Sequence, residues 1–218
     1  MSLKYQVVPV TSFAQNCSIV WCDETMKGIV IDPGGDVETL KQTIESNGIQ
    51  VVNLVLTHGH LDHVGGTEPL AELLGGIDIV GPHEDDSFWL QSLNGQSQMF
   101  GFPPTQAFEP NQWLNEGDTI SFGNETLDVI HTPGHTPGHV VLHSQSAQLA
   151  FVGDVLFSGG IGRTDFPKGD FDTLISSIKT KLWPLGNEVR FVPGHGPEST
   201  FGRERASNPF VADEMPLY

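Results

Sequence analysis

Thr57-His58-Gly59-His60-Leu61-Asp62-His63 follows directly on the apolar run at residues 51–56, and this heptapeptide sets how the rest of the chain is read. Residues 51–56 read Val-Val-Asn-Leu-Val-Leu, the β-branched and mostly apolar character of a buried strand. Four ligand-type side chains, His58, His60, Asp62 and His63, then crowd into six residues at the end of that strand. Imidazole and carboxylate together suit zinc, iron or manganese rather than calcium. A strand-to-helix loop lets near neighbours point to different sides. His58 and His60 can therefore grip one metal while Asp62 and His63 grip another.

A two-metal site needs more than four ligands, and three candidates stand just after other strand-like runs. His135 follows residues 127–130 in Thr132-Pro133-Gly134-His135-Thr136, Asp154 follows residues 149–152 in Val152-Gly153-Asp154, and His195 follows residues 189–192 in Pro193-Gly194-His195-Gly196. In each a glycine precedes the ligand and permits the tight turn that aims the next side chain. Neither a Gly-x-Ser-x-Gly elbow nor a Cys–His nucleophile pairing stands out.

Further strand-like runs cover residues 6–10, 17–21, 28–31, 77–80, 119–122 and 140–143, each bounded by turn residues. Apolar residues recur at helical spacing over residues 36–46, 66–74 and about 170–182, and a shorter helix is expected over 85–93. Many strands with fewer helices in mixed order predict a layered α/β fold, two sheets covered by helices, in one domain over residues 1–218. A weak internal repeat places ligand-bearing loops at comparable points of both halves, and two halves packed face to face would bring these loops to one rim.

Ten basic residues against 27 acidic ones give a formal net charge of −17. Nucleic acid and anionic membrane are therefore poor partners, although bound cations would reverse the field locally and admit an anionic substrate. No apolar stretch approaches the ~20 residues of a membrane span, and the N-terminus has no basic-then-apolar leader pattern. The two cysteines, Cys17 and Cys22, read as reduced thiols. A cytoplasmic monomer acting on a small molecule is the expectation.

The heptapeptide, the Asp32-Pro33-Gly34 turn, Thr132-Pro133-Gly134-His135, Gly153-Asp154 and Pro193-Gly194-His195-Gly196 together resemble the metallo-β-lactamase superfamily, and within it the type II glyoxalases (hydroxyacylglutathione hydrolases). Gly160-Ile161-Gly162-Arg163-Thr164-Asp165-Phe166, and Phe201-Gly202-Arg203 with Asn208-Pro209-Phe210, are similar to the short single-domain YcbL-like branch. The resemblance implies a four-layer αββα sandwich of two mixed β-sheets flanked by helices. It implies two divalent metal ions per chain, zinc first, with iron or manganese as alternatives. His58, His60 and His135 would hold one ion, Asp62, His63 and His195 the other, and Asp154 would bridge them. The implied reaction is thioester hydrolysis, S-D-lactoylglutathione to D-lactate and glutathione, by a hydroxide between the metals that Asp62 orients. The chain departs from the long glyoxalase II type in having no counterpart of its C-terminal helical region, which supplies much of the glutathione surface there.

Other residues have plainer readings beside functional ones. Asp32 and His139 are expected as hydrogen-bonding supports around the ligands, and His131 as a packing residue. Arg163, Lys168 and Arg203 are candidates to meet a substrate carboxylate, and an Arg163–Asp165 loop pair is the plainer alternative for the first. Asp85-Asp86 reads as charge at a helix start. Phe88, Trp89, Phe100 and Phe102 read as a lid or as a satellite core under a long loop. Two other functions compete: a persulfide dioxygenase with one iron held by His58, His135 and Asp154, and a metal-binding protein without turnover.

Overall fold

Thirteen strands and seven α-helices make up the computed structural model, which describes residues 3–213; residues 1–2 and 214–218 of the expected unit 1–218 lie outside the described residues. The first sheet has the order β1 (Leu3–Val10), β2 (Gln15–Cys22), β3 (Lys27–Ile31), β4 (Gln50–Val55), β5 (Asp78–Val80). Its first three strands run antiparallel, and β3, β4 and β5 run parallel. β6 (Thr119–Phe122), β7 (Glu125–His131), β8 (Val140–Ser144) and β9 (Leu149–Gly153) form an antiparallel meander in the second sheet. A short hairpin of β10 (Leu156–Phe157) and β11 (Gly160–Ile161) follows. β12 (Arg190–Pro193) then returns parallel to β9, and β13 (Ser199–Thr200) closes the edge.

The apolar runs were near-continuous because these strands are buried on both faces. Along β3, Ile29 and Ile31 face the second sheet while Val30 faces helices; along β9, Leu149 and Phe151 face the first sheet while Ala150 and Val152 face helices. The period of two thus feeds three separate cores. One lies between the sheets. One lies beneath α1 (Val37–Ser46), α2 (Leu61–Val64), α3 (Thr67–Leu73), α4 (Ser87–Gln91) and α5 (Leu93–Phe100), and the third beneath α6 (Phe171–Ser177) and α7 (Phe201–Ser207). The result is a helix–sheet–sheet–helix sandwich. A fully buried Ile or Phe of this kind contributes about 2 kcal/mol.

The structure departs from the sequence reading on the helical side. The helix expected over 170–182 ends as an α-helix at Ser177 and continues as a wide π turn, Ile178–Leu182, so Ile178 and Leu182 still reach the core. The short helix expected over 85–93 is a 3-10 turn, Glu84–Asp86, followed by α4 and α5. α5 carries the aromatic stretch on to Phe100, where Gly101 in the left-handed region (φ 71°) stops it.

The two sheets are tied together at one rim. Val140 N donates to Thr57 O at 2.8 Å and Asn16 N to Gly194 O at 2.7 Å, while within the second sheet Gly194 N donates to Gly153 O at 2.7 Å. The segments after β3, β4, β9 and β12 meet there.

Candidate metal centre

β4 ends at Val55, His60 still has extended backbone angles (φ −73°, ψ 143°), and α2 starts at Leu61. That change of backbone between His60 and Asp62 splits the heptapeptide. Extended residues two apart share a side, whereas a helix turns each residue by about 100°.

Three imidazole nitrogens converge on one side. His60 Nδ1 lies 3.1 Å from His58 Nε2 and 3.0 Å from His135 Nε2. On the other side, Asp62 Oδ2 lies 3.1 Å from His195 Nε2 and 3.8 Å from His63 Nε2. Asp154 stands between the two groups. Its Oδ1 is 3.3 Å from His63 Nε2, and its Oδ2 is 3.7 Å from His135 Nε2 and 3.8 Å from His195 Nε2. In both trios the donor atoms lie within 4.8 Å of one another.

The outward-facing atoms fix which nitrogen carries each proton. Asp32 accepts from Thr57 N (2.7 Å), from the Thr57 hydroxyl (2.6 Å) and from His63 Nδ1 (2.8 Å). The Thr57 hydroxyl has thereby used its proton, so its oxygen accepts from His58 Nδ1 at 3.1 Å. His135 Nδ1 donates to Arg163 O at 2.7 Å, and His195 Nδ1 to Phe13 O at 3.2 Å. His58, His63, His135 and His195 therefore all turn Nε2 into the centre. Asp32 also lies within donor range of His58 and His63, but with three donors on its carboxylate it acts through hydrogen bonds. His139 Nε2 accepts from Asp154 N at 3.1 Å, and its ring stacks on His58 at 4.7 Å.

Burial, aided by neighbouring imidazoles, holds His58 well below the usual histidine range and His60 down at about 3; burial lowers His135 as well. These three rings are neutral at neutral pH and offer lone pairs. Burial also opposes a charge on His63, but Asp154 and Asp62 outweigh it and raise its pKa. Asp154, although largely buried, is held far below the usual carboxylate range, with His63 the leading cause.

Two observations test whether these donors fit divalent cations. His63 Nε2 and Asp154 Oδ1 are buried and 3.3 Å apart, yet neither has a hydrogen-bond partner of acceptable alignment. Neutral imidazole nitrogens of fixed tautomer also face one another across 3.0–3.1 Å, with no donor for every lone pair. A cation resolves both, and an N/O donor set of this kind suits zinc, iron or manganese.

Sequence reasoning missed the residue that clamps the ligand loops together. Asp86 stands at the start of α4, as expected, but it is fully buried. Its Oδ2 accepts from Gly59 N (2.9 Å) and the Thr136 hydroxyl (2.8 Å), and its Oδ1 from Gly138 N (2.6 Å). Burial pushes its carboxyl up to about 6 against those three donors. Its partners lie 27, 50 and 52 positions away, so no local pattern could reveal it. Gln96 was also missed; its Oε1 accepts from Leu61 N at 2.9 Å and so anchors α2 to α5.

Above the centre opens a cavity of about 600 Å³, with His60, Asp62, His135, Asp154 and His195 at its floor. Arg163 belongs to its wall; Lys168 and Arg203 do not, and Lys168 Nζ sits 4.0 Å over the Phe88 ring. His131 stands apart from the centre, stacked on His83 at 4.2 Å with Nε2 on Pro137 O at 2.8 Å. With Asp85 those two histidines make a separate donor group on the surface side.

Residues 10–195 match the family model described as the metallo-beta-lactamase superfamily. The chain is 48% identical over 210 residues to hydroxyacylglutathione hydrolase GloC of Haemophilus influenzae, covering 96% of this chain and 98% of that protein. Among solved structures it is similar to BLEG-1, a B3 metallo-beta-lactamase (33% identity, TM-score 0.87, 95% of this chain and 99% of that one). It is similar also to TTHA1623 in a di-iron-bound form (34% identity, TM-score 0.86, 94% and 100%).

Proposed function

The chain belongs to the metallo-β-lactamase superfamily, and from that premise we propose that it is a metal-dependent thioester hydrolase of the type II glyoxalase kind, cleaving S-D-lactoylglutathione to D-lactate and glutathione. The observation that carries this reading is the pair of donor trios with the Asp154 carboxylate between them at a cavity floor. In this proposal His58, His60 and His135 hold one cation, Asp62, His63 and His195 the second, and Asp154 both, within a single domain. Two such cations would supply Lewis acidity to the acyl carbonyl and would lower the pKa of the attacking water.

The chain's own residues do the rest. Asp62 lines the cavity floor, so it accepts a hydrogen bond from the attacking water and orients it. Asp32, directly on His63 and through Thr57 on His58, keeps the lone pairs of those imidazoles turned inward. Among the described wall residues, the titratable groups beyond the donor set reduce to Arg163. No side chain there is suited to protonate a leaving amine. A thiolate leaves without such help, because thiols ionise near pH 8.5. That selects thioesters over amides. Cys17 and Cys22 are free and buried, which suits a reducing setting such as the cytoplasm. Among the described residues no helix is long and apolar enough to cross a membrane.

The competing dioxygenase reading engages His58, His135 and Asp154 alone and leaves the Asp62, His63 and His195 trio without a task. Asp154→Asn tests the hydrolase reading. The variant is expected to lose bound metal and hydrolysis of S-D-lactoylglutathione together, and wild-type turnover by it rejects the assignment.

A further inference from the structure

The walls of the cavity differ in kind from its floor. Trp89 and Phe166 stand beside His60, with ring centres 4.5 and 5.0 Å from the imidazole. Phe157 stands 6.4 Å from His195, and Phe13 meets Phe102 edge-on at 5.1 Å, both lining the same space. Each of these rings comes from a different segment, so aromatic surface flanks both donor trios.

Among the described wall residues Arg163 is the single cation, and it is already engaged. Its Nε and Nη2 each donate to Asp165 at 2.7 Å, and the guanidinium lies 4.2 Å over the Phe166 ring. The pair is neutral in sum. Arg163 holds the Asp165 carboxyl down at about 2, so both groups stay charged across the working pH range and their charges offset each other at the cavity mouth. A carrier such as glutathione brings two carboxylates, and the wall offers them no unpaired positive charge. Away from the bound cations, the net charge of −17 adds no attraction for them.

Building on the thioesterase reading above, we propose that the site selects thioesters bearing an aromatic or branched apolar acyl group, gripped by the Trp89–Phe166 wall, and that it forms no ion pair with carboxylates of the thiol carrier. Aromatic side chains in a water-poor cleft reward apolar area and edge-to-face contact. One added methylene in such a pocket changes discrimination by about tenfold or more. The methyl of a lactoyl group covers little of this wall; a phenyl in its place covers much more. The reaction is unchanged. The water oxygen joins the acyl carbon, the carbon–sulfur bond breaks, sulfur leaves as thiolate, and the protons of the water pass to solvent and to that thiolate.

The test measures kcat/KM of the metal-replete protein for three thioesters at low and high salt. They are S-D-lactoylglutathione, S-D-mandeloylglutathione (phenyl for methyl, same carrier) and the D-lactoyl thioester of N-acetylcysteamine (same acyl group, uncharged carrier). The mandeloyl ester is expected to exceed the lactoyl ester by about tenfold or more. The uncharged carrier is expected to lie within about tenfold of glutathione, with no salt dependence beyond that of the neutral ester. Phe166→Ala is expected to reduce the mandeloyl-to-lactoyl ratio, a readout independent of how much folded protein is present. A mandeloyl advantage below tenfold, a glutathione advantage above tenfold, or a ratio untouched by Phe166→Ala overturns the inference. Hydrolysis of none of the three rejects the thioesterase reading itself, and this inference with it.

Discussion

Asp32 Oδ2 and His63 Nδ1 share a 2.8 Å hydrogen bond between two side chains that are almost fully buried. The carboxylate sets the tautomer of the ring, and through Thr57 it sets that of His58 as well. Asp32→Asn presents an amide N–H to His63 Nδ1 and so drives the proton to Nε2, the atom facing Asp154. The expected outcome is a fall in metal affinity of about 10–100-fold, read by competition with a chromophoric chelator. Unchanged affinity would show that the tautomer is set elsewhere.

Asp86 makes a second, separable prediction. Asp86→Ala leaves Gly59 N, Gly138 N and the Thr136 hydroxyl without their acceptor, and unfolding should become easier by about 3 kcal/mol or more. The carboxyl also has a pH signature. Its folded value of about 6 lies above the ordinary 3.8, so the folded protein holds this proton more tightly. The stability that the proton confers is complete below about pH 4 and is lost as pH rises through 6. In chelator-treated protein, the stability of wild type relative to Asp86→Asn should therefore decline between pH 4 and pH 7, by up to about 3 kcal/mol. A flat difference across that range contradicts the assignment.

Asp86 also marks where sequence reasoning stopped. The donors were legible because four of them are packed into residues 58–63, and because His135, Asp154 and His195 each follow a strand and a glycine. The sandwich was legible because strands such as β8 and β9, buried on both faces, read as unbroken apolar runs. Asp86 had no such signal, since all three of its partners are distant in sequence. The four residues of α2 are too few to show a period. Helix α5, with Gly95 and four polar residues in its eight, carries a weak helical pattern, so its aromatic neighbours read as a loop. The cavity wall unites Phe13, Trp89, Phe157 and Phe166 from separate segments, which only the folded chain brings together.

Gly153 should tolerate no side chain. Its φ is +47°, and a Cβ there would lie 2.6 Å from both His139 Nε2 and Thr57 Oγ1. Gly153→Ala is expected to cost about 2 kcal/mol or more through strain and overpacking and to displace the support under Asp154. Gly48, with φ +68° but nothing within 4 Å of a Cβ, is the control. Gly48→Ala should cost only the backbone strain, about 1 kcal/mol. Thermal unfolding of the two variants side by side distinguishes them, and equal losses would contradict the packing argument.

The most direct test of the whole account is the rate of S-D-lactoylglutathione hydrolysis as zinc, iron(II) or manganese is added stepwise to chelator-stripped protein. The account predicts negligible hydrolysis without metal and a rise that saturates near two equivalents per chain, matching the two donor trios. Full activity in the stripped protein, or saturation at one equivalent, would contradict it.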